Sequence, residues 1–225
     1  MKLLKYFFSL LLYVIAMELS AIWIFIPNSF NIEYSEFFDL IQALIQLLIV
    51  LGFFFIAHRI ILKTLFKIPK IKWTGLASLI GLSFAFLQTP LKLAYNYIMG
   101  TEYHIIYDFN GFENHRIQYI ISTILVIPIA EELFFRGFIQ NKMHEEFKPI
   151  TTVVMTSLLF ALLHAPYTNI VYAFYEVESQ FLDDWHLSYI TFFGGLISGF
   201  FFFKTKSIIP SITFHMCWNL MATLV

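Results

Sequence analysis

Residues 117–140 read IQYIISTILVIPIAEELFFRGFIQ, an apolar run in which the only charged residues are Glu131, Glu132 and Arg136. A bilayer core about 30 Å thick requires roughly 20 apolar residues of helix, and in hydrocarbon a helix satisfies its own backbone hydrogen bonds. This run therefore predicts a transmembrane helix. Six similar stretches lie at approximately residues 6–27, 38–57, 74–99, 150–166, 187–203 and 207–225. We predict an all-α polytopic bundle of about seven spans, forming a single transmembrane domain over residues 1–225.

The composition agrees with a membrane protein. Of the 225 residues, 59% are hydrophobic and 13% are charged, and the mean hydropathy is +0.75. Such values lie above those of soluble domains, so we expect the lipid bilayer to be the main surrounding of the chain. The net charge of −1 gives no indication of a nucleic-acid partner. The single cysteine, Cys217, excludes an intrachain disulfide and a cysteine-based zinc site.

The charges between the predicted spans alternate in sign. Basic residues collect around residues 2–5, 59–72, 142–148 and 204–206, and acidic residues collect around 33–39, 102–113 and 176–184. Lysine and arginine accumulate on the cytoplasmic side of membrane proteins, so the amino terminus is predicted to be cytoplasmic. A short chain without long loops is typical of a bacterial plasma-membrane protein.

Polar residues within the predicted spans are concentrated in the later helices. Ionisable side chains at membrane depth cost at least ~2.5 to 3.5 kcal/mol each, and they are functional candidates by default. The candidates are Glu131, Glu132, Arg136, His164, His215 and Asn219. We therefore expect the functional core to lie at about residues 117–225.

Helical spacing separates the two adjacent glutamates. Glu132 and Arg136 are four residues apart and share a helix face, so they can pair. Glu131 is rotated by ~100° from Glu132 and is predicted to address another helix.

The same spacing orders the other candidates. His215 and Asn219 share a face, whereas Cys217 points ~200° away from His215, which disfavours the cysteine as a nucleophile. Phe160 precedes His164 by one turn and is predicted to form an aromatic wall beside it.

Each of these residues also has a structural interpretation. A glutamate and an arginine can form a neutralised pair, and a buried histidine can satisfy a hydrogen bond. Together they could bind a divalent metal or a water, with a carboxylate as the base and imidazole or amide groups as oxyanion donors. A small transporter and a noncatalytic membrane scaffold or immunity protein are the alternatives. Transporters usually contain an internal repeat, and the first three spans show no polar pattern like that of the later ones.

Three short motifs carry a resemblance to a known family. The ordered segments EELFFR (131–136), FALLH (160–164) and HMCWN (215–219) resemble the EExxxR, FxxxH and HxxxN signatures of the CAAX-protease and bacteriocin-processing family. This family, also called CPBP or Abi, consists of intramembrane proteases. The motifs span about the last hundred residues, and the first hundred resemble the family only in being hydrophobic helices.

The resemblance implies an intramembrane endopeptidase and a role for each residue. Glu131 would be the general base that activates a water, and His164 would help to hold that water or a metal. His215 and Asn219 would stabilise the oxyanion, while Glu132 and Arg136 would brace the helix. The implied substrate is a prenylated tail or a leader peptide.

The resemblance leaves a divalent metal open. The family is usually described as metalloproteases, and Glu131, His164 and His215 would be the ligands of a zinc ion. The sequence lacks the HExxH arrangement that would indicate zinc directly.

Depth along the helices gives a further expectation. Glu131 and His215 lie ~12 to 14 Å from the predicted cytoplasmic ends of their spans, and His164 lies ~21 Å from its end at 1.5 Å per residue. The fifth helix should therefore enter the membrane late, near Val153, or be strongly tilted, and the site should open toward the cytoplasmic half. Outside the motifs, Lys92 is a candidate partner of Glu18, and glutamines such as Gln46 are expected to form interhelical hydrogen bonds.

Overall fold

The computed structural model describes residues 3–21, 38–57, 64–100, 117–165 and 185–224. These residues form seven main helices and no strand. The helices are α1 (Leu4–Ala21), α2 (Phe38–Ala57), α3 (Ile71–Met99), α4 (Ile117–Met143), α5 (Pro149–Leu163), α6 (His186–Thr205) and α7 (Ile209–Leu224). The predicted all-α helical membrane bundle is confirmed, with helix bounds within a few residues of the expected ones.

Three helices of the described ranges are long and apolar enough to cross a bilayer, namely α3, α4 and α6. The segments Leu4–Met17, Asp39–Phe55 and Pro149–Leu163 are shorter apolar helices. The number of crossings and their orientation stay predictions. Most of the acidic connections lie outside the described residues. The side chain of Glu18 does too, so its expected pairing with Lys92 stays a prediction.

Helix α4 lies at the centre of the bundle and packs against α2, α5, α6 and α7. Helix α7 packs along α3, and α6 lies between α5 and α7. Aromatic rings fill the interior in two clusters, one around Phe134 and Phe160 and the other around Phe84, Phe214 and Trp218.

Glycines let helices α3, α6 and α7 approach one another closely. A Cβ atom at Gly81 of α3 would lie 2.4 Å from the carbonyl oxygen of Phe214, and one at Gly194 of α6 would lie 2.4 Å from the ring of Trp218. In a bilayer, close van der Waals packing at small residues drives much of helix association. Here it brings α7, and with it His215, against the rest of the bundle.

Helix α4 departs from regular α geometry on both sides of the glutamates. Residues Ser122–Val126 and Leu133–Gln140 are wound as π-helix. Such wide turns are often found at functional sites because they redirect side chains and free carbonyl groups. The second stretch begins directly after Glu132 and contains Arg136.

Helix α5 starts at Pro149, and the depth at which it enters the membrane stays a prediction. Proline at the first helical positions needs no N–H partner, and Lys148 before it is extended, which fixes the start. The helix has 15 residues, a length of ~22 Å, which leaves His164 at its far end.

Candidate active site

Glu132 is the most connected side chain of the site. Its residue is 1% exposed. Its Oε2 accepts hydrogen bonds from Nε of Arg136 at 3.1 Å and from Oγ of Ser198 at 2.5 Å. Its Oε1 lies 3.2 Å from Nδ1 of His215. This one carboxylate therefore joins α4, α6 and α7, whereas the sequence indicated Arg136 alone as its partner.

Arg136 is fully buried beside that carboxylate. Its Nε also lies 3.1 Å from Oγ of Ser198, and its guanidinium carbon lies 5.3 Å from the ring centroid of Phe160. The contact with the ring is a cation–π interaction, which is stronger when water is excluded. Within the described part of the chain, Nη1 and Nη2 of Arg136 have no hydrogen-bond partner. Glu132 is thus the counter-charge that makes burial of this arginine tolerable.

His215 faces Glu131 with one ring nitrogen and Glu132 with the other. A carboxylate only accepts hydrogen bonds, so Nδ1 of His215 donates to Glu132, and Nε2 is the ring nitrogen that faces Glu131. Nε2 lies 3.9 Å from Oε2 of Glu131. This separation is longer than a direct hydrogen bond and short enough for one water oxygen to contact both atoms. The ring of Trp218 stacks on the imidazole at 5.5 Å and limits its rotation.

His164 ends helix α5 and is half-buried. A carbonyl oxygen only accepts hydrogen bonds, so Nδ1 of His164 donates to the carbonyl oxygen of Phe160 at 3.0 Å. The Phe160 ring contacts the His164 ring at 4.7 Å and the His215 ring at 5.8 Å, edge to face in both cases. Phe160 is therefore the common neighbour of the two motif histidines and of Arg136.

Asn219 is engaged in a contact that the sequence analysis did not predict. Its Nδ2 donates to the carbonyl oxygen of Thr123 on α4 at 2.8 Å. The N–H of Ile127 donates to the carbonyl oxygen of Ser122, five residues back. In the same π-helical register, the N–H of residue 128 would donate to the carbonyl oxygen of Thr123. That residue is Pro128, which has no N–H. Asn219 supplies the missing donor and ties α7 to α4 one turn from His215.

The predicted metal ligands do not form a metal site as they are placed. Among the residues of known position, no three His, Cys, Asp or Glu side chains are grouped so that they could hold a metal ion. Glu131 and His215 are neighbours at 3.9 Å, and Nδ1 of His164 donates to a backbone carbonyl, so Nε2 is the nitrogen through which His164 would bind a metal. Ligand atoms of a zinc ion lie about 2.0 to 2.2 Å from one common centre, and the set Glu131, His164 and His215 is not gathered in that way.

Two polar residues of the site were missed by sequence reasoning. Ser198 donates to Glu132, and its carbonyl oxygen accepts a 2.9 Å hydrogen bond from Oγ of Ser211. Gln140 is buried, and its Nε2 donates to the carbonyl of Gly199 at 2.9 Å. The spacing of four from Glu132 through Arg136 to Gln140 is a signal that could have identified the glutamine. A serine such as Ser198, in an apolar helix with several glycines, gives no comparable signal.

Tyr13 of α1 is a third missed residue, and it supports the site from outside the motifs. It is completely buried, its ring stacks on Phe134 at 4.2 Å, and its hydroxyl oxygen accepts a 2.6 Å hydrogen bond from Nε2 of Gln46. The expected interhelical bond of Gln46 is thus present. Phe134 follows Glu131 by three residues, so this contact packs α1 against the glutamate-bearing part of α4.

The chain is similar to a protease family over the region that holds this site. Residues 113–221 match the family described as Type II CAAX prenyl endopeptidase Rce1-like. No curated protein and no solved structure matches the chain. The matched range contains all three motifs, helices α4, α5 and α6, and α7 up to residue 221. The resemblance carried by the motifs is thereby confirmed: over residues 113–221 the chain is similar to a family of CAAX-type proteases.

Proposed function

We propose that this protein is an intramembrane endopeptidase in which Glu131 activates a water for peptide hydrolysis. The observation that carries the proposal is the approach of Oε2 of Glu131 to Nε2 of His215 at 3.9 Å, with side-chain exposures of 8% and 6%. A base and a second polar group are thus held at water-sharing distance inside the bundle. The family match over residues 113–221 supports a protease.

The neighbouring glutamate would do a different job. Glu132 binds Nδ1 of His215 and so directs Nε2 toward Glu131, much as a carboxylate orients a histidine in other hydrolases. Because Glu132 is also bonded to Arg136 and Ser198, three of its four lone-pair sites are occupied. Glu131 is the carboxylate that has room to accept a proton.

The reaction would proceed in two balanced steps. Glu131 takes one proton from the water while the water oxygen bonds to the carbonyl carbon, and the carbonyl electron pair moves to oxygen. The tetrahedral intermediate then collapses, the C–N bond breaks, and Glu131 returns the proton to the departing amine. A protonated Nε2 of His215 or His164 would donate to the oxyanion. Asn219, whose amide holds α4, would position α7 for this contact.

We propose a prenylated carboxyl-terminal peptide as the substrate, in line with the description of the matching family. An apolar cavity of about 490 Å³ lies between α3, α5 and α6, and its lining includes Tyr95, Ala161 and Leu162. Ala161 and Leu162 directly precede the His164 turn, so an apolar chain in this cavity would lie beside the site. A leader peptide is the other substrate class implied by the family resemblance.

The proposal can be tested with the purified chain in detergent. It would be incubated in water enriched in oxygen-18 with a prenylated carboxyl-terminal peptide, the same peptide without the prenyl group, and a leader peptide. Mass spectrometry should find a cleaved peptide bond whose new carboxyl terminus has gained one oxygen-18 atom, and the prenylated peptide should be cleaved fastest. Folded protein that cleaves none of the three would contradict the proposal and would favour the scaffold or transporter alternatives.

A further inference from the structure

A polar cavity lies away from the candidate active site, where α4 and α6 end and α7 begins. Its volume is about 500 Å³. It is lined by Thr64, Leu65, Lys67, Asn141, Phe202 and Lys206. We call it the two-lysine pocket. Among the described lining residues, the charged ones are the two lysines, and none is a carboxylate.

The backbone around the two-lysine pocket is held in place. The N–H of Ile208 donates to the carbonyl of Leu65 at 2.8 Å, which joins the segment before α3 to the connection between α6 and α7. Leu65 is buried against Gly137 of α4, where a Cβ atom would lie 3.0 Å from it. Lys206 ends α6 in the left-handed conformation, with φ of 52°, and its N–H bonds to Phe202. The pocket is therefore a feature of the folded backbone.

Among the described residues, no carboxylate neutralises the positive charge of the pocket. Lys5 pairs with Glu146, and Lys142 lies 3.9 Å from Glu145. Within the described ranges, neither Lys67 nor Lys206 has a carboxylate partner. Partial burial lowers the pKa of Lys206.

The surroundings of the pocket are suited to lipid. The adjoining segment exposes large apolar side chains, with Phe66, Ile68 and Ile71 exposed by 44%, 87% and 88%. The charge pattern predicts that this end of the bundle faces the cytoplasmic leaflet, where anionic headgroups attract basic residues. A free phosphate ion would make no contact with these apolar side chains, whereas the acyl chains of a lipid would cover them.

We propose that the two-lysine pocket binds the phosphate of an anionic phospholipid headgroup. Lys67 and Lys206 provide the opposing charge, the amide of Asn141 provides a neutral donor, and acyl chains lie over Phe66 and Ile68. Such a lipid would join the segment before α3 to the ends of α4 and α6.

The test uses the full chain purified in a neutral detergent, with phosphatidylglycerol added at a fixed mole fraction. Native mass spectrometry counts the retained lipid, and the thermal midpoint is measured in parallel. Phosphatidylglycerol should be retained and should raise the midpoint, whereas phosphatidylcholine should do neither. The double variant Lys67→Gln with Lys206→Gln should bind phosphatidylglycerol about thirtyfold more weakly, from the usual contribution of two lysines at a membrane surface.

Matched variants keep the result decisive. Lys70→Gln with Lys72→Gln removes two exposed charges of the same segment outside the pocket and should retain phosphatidylglycerol. Lys67→Arg with Lys206→Arg keeps the charge and should also retain it, even if the glutamine variant folds poorly. Equal loss in the Lys70 and Lys72 variant would overturn the proposal, because the attraction would then be nonspecific. Stabilisation by inorganic phosphate but not by phosphatidylglycerol would overturn it too.

Discussion

The Nδ1 atom of His215 lies 3.2 Å from Oε1 of Glu132, so the carboxylate that neutralises Arg136 also orients the histidine that faces Glu131. Two adjacent glutamates on one helix are thereby given separate environments. Glu132 is enclosed by donors from three helices, and Glu131 faces Nε2 of His215 at 3.9 Å. The first prediction concerns the enclosed glutamate.

Glu132→Gln should reduce stability and activity together. The change leaves Arg136 buried without its counter-charge, and breaking such a pair costs about 3 to 5 kcal/mol. It also removes the charged acceptor of His215. Thermal unfolding and the rate of peptide cleavage measure the two effects. As a control, Glu145→Gln removes a side chain that is 62% exposed and should change stability by less than about 0.5 kcal/mol.

Reversal of the pair gives a sharper version of this test. Glu132→Arg with Arg136→Glu restores opposite charges but presents a guanidinium group to His215 and Ser198, which both donate to Glu132. We expect at most partial recovery of stability and no recovery of cleavage. Full recovery of both would mean that Glu132 only braces Arg136.

Asn219→Ala should destabilise the protein by about 1 kcal/mol, because it removes a hydrogen bond to the carbonyl of Thr123. Pro128→Ala introduces a backbone N–H at residue 128, and in the π-helical register this N–H would donate to the same carbonyl of Thr123. The cost of Asn219→Ala should therefore be smaller in the Pro128→Ala background. A double-mutant cycle of unfolding free energies measures the coupling, and equal costs in the two backgrounds would show that Asn219 does not replace the proline donor.

Gly194→Ala should be destabilising although alanine favours helix. The new Cβ would lie 2.4 Å from the Trp218 ring, which is packed edge to face against Phe84 at 4.9 Å and stacked on His215. Overpacking of this kind costs about 1 to 3 kcal/mol, and displacement of Trp218 should also slow cleavage. Gly52→Ala is the control, since nothing lies within 4 Å of its added Cβ. Equal thermal midpoints for the two variants would contradict the close packing of α6 and α7.

The helices and the pairing of Glu132 with Arg136 follow from the sequence because both depend on local periodicity. Hydrophobic length predicts a helix, and a spacing of four places two side chains on one face. The contact between Glu132 and His215 joins residues far apart in the chain. It depends on how closely α7 approaches α4, which is set by packing at glycines such as Gly194 and could not be inferred from motif spacing.

Asn219 illustrates a second limit. Its position one turn from His215 indicated a shared function, but its observed partner is a carbonyl of α4. That carbonyl is free because the helix widens before Pro128, and single-sequence periodicity does not predict π-helical register. The catalytic roles of Glu131, His164, His215 and Asn219 stay predictions.

His144 should make stability depend on pH. Burial, and then the charge of Lys206, lower the pKa of His144 from 6.5 to about 4. The unfolded chain binds a proton at this residue as the pH falls below about 6.5, while the folded chain stays neutral. The contribution of neutral His144 to the free energy of unfolding is complete above pH 6.5 and is lost as the pH falls toward 4. The thermal midpoint should fall less steeply over this range in His144→Gln than in the parent, and parallel curves would contradict the assignment.

The most direct test of the account is the specific activity of Glu131→Gln in the peptide-cleavage assay, measured on protein whose thermal midpoint equals that of the parent. Glutamine keeps the shape of the side chain and cannot accept the proton of the water. We predict a loss of cleavage on the order of a hundredfold or more, the usual scale of general-base catalysis. Cleavage at the parental rate by the folded variant would show that Glu131 is not the base.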